Sequence, residues 1–142
     1  MTYPKLNALL AVVAFAALWG CASSTTARYA VPASPTARGR VSQLLGQFAQ
    51  REGLPQASLG LPRYIGGFFP QFVRYQDSVV PAIFLTGLDM HPGIEARLSE
   101  SRRFHLHPSA RFLHLDAQLQ NEFRRVFHAS VQFSTQTDTS LW

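Results

Sequence analysis

The chain has 142 residues, enough for one domain, and is 46% hydrophobic, which excludes a disordered or fibrous chain. Its formal charge of +5 comes from twelve scattered arginines and one lysine, Lys5, a pattern that does not suit nucleic acid. Cys21 is the only cysteine, so an internal disulfide and a multi-thiol metal site are both excluded.

The chain opens with a short segment carrying the positive charge of Lys5, followed by an uninterrupted apolar run, Ala8 to Leu18. Eleven residues are too few to span a bilayer as a helix, which takes roughly 20. The run has the length of the apolar region of a signal peptide. It leads into Leu18-Trp19-Gly20-Cys21. These residues resemble the lipobox of bacterial lipoproteins, with Leu at −3, a small Gly at −1 and Cys at +1; Trp19 at −2 is bulkier than that pattern usually carries. The resemblance implies a diacylglyceryl group on the Cys21 sulfur, cleavage before Cys21 and acylation of the new amino group. In that class Ala22, in place of Asp, at +2 implies the outer membrane, with the protein lipid-anchored in the cell envelope and facing the periplasm. Lipidation would also cap a thiol that is a liability in an oxidising compartment, and two or three acyl chains anchor firmly where one holds weakly. The resemblance covers residues 1–21 and implies nothing about the folded domain.

Three segments follow from this reading: a signal peptide over 1–20, a flexible tether over 21–35 rich in Ser, Thr, Ala and Pro, and a single α+β domain over 36–142. A first helix is predicted from Thr36 to Arg51, with Val41, Leu44, Leu45 and Phe48 on one face and Gly53 and Pro55 as its stop. Residues 53–70 are turn-rich. Val79–Thr86 reads as a strand, with Pro81 at its entry. Pro92 to Ser101 reads as a helix burying Ile94 and Leu98.

Two similar strips follow, 103–107 and 112–116, and a hairpin through residues 108–111 is favoured for them. A rival reading starts the last helix at Ser109 instead, since Phe112, Leu115 and Leu119 also suit one helical face. Under the hairpin reading Asp116 caps a helix to His128, with Leu119, Phe123, Val126 and Phe127 as its stripe. Ala129, Val131 and Phe133 then alternate as a last strand before a polar tail, 135–140. The expected order is an N-terminal helix followed by β-α-β-β-α-β, a small antiparallel or mixed sheet with helices on one face.

Two groups of residues are candidates for binding. Tyr64, Phe68, Phe69, Phe72 and Tyr75 flank a Gly pair and suit either a partner-binding lip or packing over the core. His105, His107 and His114 share one face of the favoured hairpin near Asp116, where imidazoles and a carboxylate suit zinc or copper. The same strip equally suits a solvated strand surface. Asp77, Asp89, Glu95 and Glu100 read as surface or capping charges, and Arg97, Arg102 and Arg103 as a positive patch. The sequence carries no His-Glu-x-x-His, Gly-x-Ser-x-Gly or phosphate-binding glycine loop. The expectation is therefore a non-enzymatic, lipid-anchored lipoprotein without a cofactor that binds another envelope protein. A periplasmic metal or small-ligand binder is the alternative.

Overall fold

The computed structural model describes residues 21–57, 71–103 and 105–141. Five strands and two long helices follow in the order β1 (Cys21–Pro32), α1 (Ala37–Glu52), β2 (Gln71–Gln76), β3 (Ile83–Met90), β4 (Gly93–Arg103), α2 (Ala110–Phe127) and β5 (Gln132–Leu141). The strands form one antiparallel sheet in the order β2-β3-β4-β1-β5. Helix α1 packs on β3 and β4, α2 packs on β1 and β4, and the two helices touch each other. The class is α+β with a small antiparallel sheet. The element order differs from the one expected, because a strand precedes the first helix and a third consecutive strand replaces the middle one.

The segment expected to be a tether is a strand over most of its length. Residues 21–32 form an interior strand paired to β4 on one side and β5 on the other. Its Ser and Thr content reads as linker only if the period is ignored. Ala27, Tyr29 and Val31 are buried while their neighbours are not, the period-2 alternation of a half-buried strand. Thr is also at home on a pleated surface.

Helix α1 lies where the 3.6-residue period put it and buries Val41, Leu44, Leu45 and Phe48. Gly53 ends it in the left-handed conformation, at φ 71°, and its amide donates to the Ala49 carbonyl. Strand β3 starts four residues later than expected. Val79 is 76% exposed, because Asp77 accepts hydrogen bonds from the amides of Val79 and Val80 and turns the chain there. On β3, Gly87 faces Phe72 and Val73 so closely that a Cβ would lie 2.5 Å from the Phe72 ring. The missing side chain lets β2 fold down over the core.

The expected helix over 92–101 is strand β4. Ile94 and Leu98, four apart, satisfy both a helical and a strand period, and the decision lies with the residues between them. Ala96 between them and Glu100 beyond them are buried with Leu98, which is alternation. The hairpin is absent as well: β4 ends at Arg103 and α2 begins at Ala110, as the rival reading had it. Ser109 caps α2 by accepting from the Phe112 amide at 3.0 Å. Phe112, Leu115, Leu119 and Phe123 then form one fully buried stripe. Leu106 and Leu113 are 64% and 53% exposed. Asp116 lies within α2 rather than at its start. Strand β5 runs through the polar tail to Leu141, since an edge strand facing solvent needs no apolar run.

Candidate functional site

Cys21, the residue assigned the lipid, is the first residue of β1, with Leu141 of β5 as its partner in the ladder. On the other side Ala22 pairs with Arg103 and Ser23 with Arg102. The Ser23 hydroxyl donates to the His105 carbonyl, and Arg102 Nη1 donates to the His107 carbonyl at 2.9 Å. These bonds fold the segment after β4 back against the start of β1. Arg102, Arg103, His105 and His107 are thereby collected at one corner of the sheet, beside the cysteine, with exposed Leu106 among them.

The three histidines do not come together as the hairpin required. His105 and His107 lie in the segment leading to α2, whereas His114 lies on α2, 3.7 Å from Glu52 of α1. Among the described residues there is no group of three His, Cys, Asp or Glu side chains placed to hold a metal ion. Of the aromatic strip, Tyr64, Phe68 and Phe69 lie outside the described residues. Phe72 and Tyr75 are on β2, half-buried and packed against the core, with Arg38 over the Phe72 ring at 5.3 Å. These two contribute packing, not an exposed lip.

Several polar groups that read as surface charges are buried. Asp77 accepts from the Val79 and Val80 amides and from Arg111 Nε at 2.9 Å; Arg111 also donates to the Glu52 carbonyl at 2.6 Å. Burial alone would raise the Asp77 pKa. The hydrogen bonds from the Val80 amide, Arg111 and the Val79 amide outweigh it and hold the carboxyl below its ordinary value. Arg111 thus fastens α2 to the end of α1 and to the turn before β3.

Glu100 is buried near the start of α2 and accepts from the Ser109 amide at 2.7 Å. A carboxylate suits the positive end of a helix, but Glu100 Oε1 has no hydrogen-bond partner among the described residues.

Tyr29, fully buried on β1, donates to Asp116 Oδ1, which also accepts from Gln120 at 3.1 Å. Burial, and then the bond to Asp116 and its negative charge, push the Tyr29 hydroxyl far above its ordinary pKa. The Tyr29 ring stacks on Phe123 at 5.2 Å and meets Phe133 edge-on at 5.9 Å. This polar pair therefore sits in the aromatic centre of the core and joins β1 to α2. The alternation of Ala27, Tyr29 and Val31 was the one sequence signal that could have pointed to it. No helix among the described residues is long and apolar enough to cross a membrane. Comparison of the chain with protein-family models, with curated proteins and with solved structures finds no match.

Proposed function

We propose that the chain is the precursor of a bacterial envelope lipoprotein, lipidated on Cys21 and held at the outer membrane facing the periplasm. Its α+β domain is non-enzymatic and acts as an accessory or assembly factor for another envelope protein. The observation that carries the anchor is the succession of a charged start, eleven apolar residues and Leu18-Trp19-Gly20-Cys21 around the only thiol of the chain. The cationic corner beside Cys21 supports it, since Arg102 and Arg103 suit a surface of anionic headgroups within a Debye length. With β1 starting at the anchor residue, the domain would sit directly on the membrane. The assignment as an accessory factor rests on analogy of size and anchor and on the want of a catalytic motif.

Mass spectrometry of the protein purified from membranes tests the anchor. The expected N-terminus is a lipid-modified Cys21, and Cys21→Ser is expected to keep its leader and fractionate with the inner membrane. A wild-type N-terminus at another residue, or an unmodified thiol, overturns the proposal.

A further inference from the structure

The helices cover one face of the sheet, and along each strand the other face carries the alternate residues. On that face the register sets Arg28 of β1 directly opposite Arg97 of β4, with Thr86 and then Arg74 completing the row towards β2. Like charges directly opposite on adjacent strands oppose pairing, so each arginine calls for a counter-charge. Arg97 has one in Glu95, to which its Nε donates. Arg74 lies over the Phe84 ring at 4.2 Å, which stabilises a cation without a carboxylate, although its Nε, too, lacks a hydrogen-bond partner among the described residues. Arg28 has neither. Among the described residues no carboxylate lies within ion-pair distance of it, and its Nε is enclosed without a hydrogen-bond partner. A buried donor left unmade costs its full desolvation.

One step along the same face lies a cavity. Ala30 and Glu95 are the next paired row beyond Arg28 and Arg97, roughly 7 Å away at two residues' rise. They line a hollow of about 390 Å³, with Met90, Pro92, Ile94 and Gln132 among its other walls. Its size is that of a small-molecule site, and its walls are mainly apolar. Glu95 is the one acidic residue of the wall, and its charge is met by Arg97. Arg28 does not itself line the hollow but stands one row from it on the same face, without a counter-charge among the described residues.

We infer that this end of the open face is a binding site for an anionic amphiphile, its acyl chain in the hollow and its phosphate or carboxylate head on Arg28. A guanidinium presents forked donors to either oxyanion. The hollow accounts for selection of a chain over a bare anion, and Arg28 for selection of an anionic over a zwitterionic head. The site lies seven residues along β1 from Cys21 and is independent of whether that residue is lipidated.

Native mass spectrometry of the full chain, purified in a neutral detergent that is released in the gas phase, reads the site directly. Phosphatidylglycerol, phosphatidylcholine, palmitate and inorganic phosphate are the probes, each added alone. Phosphatidylglycerol or palmitate adducts are expected to exceed those of phosphatidylcholine and phosphate by about tenfold, and their relative strength tells which head the site takes. Arg28→Gln is expected to reduce the favoured adduct about tenfold. Ala30→Trp, which fills the hollow from the open face, is expected to reduce it comparably; Gln132→Trp does the same from the neighbouring strand should Ala30→Trp lower the melting temperature. Equal adducts with phosphatidylcholine, an adduct indifferent to Arg28→Gln, or binding of bare phosphate as strong as that of the amphiphiles would each overturn the inference.

Discussion

The two faces of the sheet are made of the same five strands and differ in almost every other respect. Beneath the helices lie Ala27, Tyr29, Val31, Ile83, Leu85, Ala96 and Leu98, all buried. Four arginines on that side meet carboxylates, Arg111 with Asp77, Arg51 and Arg125 with Glu122, and Arg38 with Asp89, while Arg40 and Arg124 lie over the Phe127 and Phe133 rings. The opposite face carries Thr26, Ser99, Ser134 and the arginine row. There Thr26 and Ser99 bond to each other at 3.1 Å, while Arg28 faces Arg97 and only Arg97 meets a carboxylate, that of Glu95. One face is fixed by apolar burial and matched charge, which is what stability requires. The other contributes less to stability and leaves one of its arginines, Arg28, without a counter-charge among the described residues. A fold in which, among the described residues, the helices cover only one sheet face separates the two demands by the simple alternation of side chains along each strand.

The comparison fails most visibly if the strand common to both faces is removed. A chain beginning at Thr36 lacks β1, which separates β4 from β5 and holds Tyr29. It is expected to show no cooperative unfolding transition, whereas the tether reading would leave a fully folded domain; calorimetry decides. Next in size is Phe123→Ala. The ring is fully buried against Tyr29 and Phe127, and its loss is expected to cost about 3–5 kcal/mol in denaturant titrations. Thr26→Ala on the open face is expected to stay within about 0.5 kcal/mol. Similar losses for the two would abolish the distinction between the faces.

Tyr29→Phe leaves the ring in place and removes the donor to Asp116, at an expected cost of about 1.5–3 kcal/mol. Because the folded-state pKa of Tyr29 lies above the unfolded one, its contribution is complete below about pH 10 and declines as pH rises beyond that. The alkaline loss of stability should therefore be smaller in Tyr29→Phe than in wild type. Asp77→Asn is expected to cost about 1 kcal/mol at neutral pH. Here the folded pKa is lowered, so the contribution is present above the unfolded value of about 3.9 and is lost as pH falls below it. Wild type and Asp77→Asn should converge in stability in acid, and parallel curves from pH 7 to pH 2 would refute the role given to Asp77.

What was legible in the sequence follows from how a period announces itself. Helix α1 was readable because Val41, Leu44, Leu45 and Phe48 fit one period and no other. Ile94 and Leu98 did not discriminate, since a spacing of four serves a helix and a strand alike, and only the burial of Ala96 between them and of Glu100 beyond them decides for β4. In α2 the stripe from Phe112 to Phe123 is continuous, but the short His-rich strips on either side of residues 108–111 imitate a hairpin. The Ser109 cap was the deciding signal. Strand β1 was hidden because its composition is that of a linker, although Ala27, Tyr29 and Val31 alternate. The candidate sites fared according to their elements. The histidine trio depended on the hairpin and dispersed with it, while Arg28 and Arg97 could be brought together only by a register between strands 69 residues apart in the chain.

The most direct test of this architecture is amide hydrogen exchange in the full chain over residues 25–31. An interior strand bonded on both sides should exchange there only through global opening, as slowly as the centre of α2. Exchange of these amides within seconds, with α2 still protected, would restore the tether and contradict a sheet with Cys21–Pro32 as an interior strand.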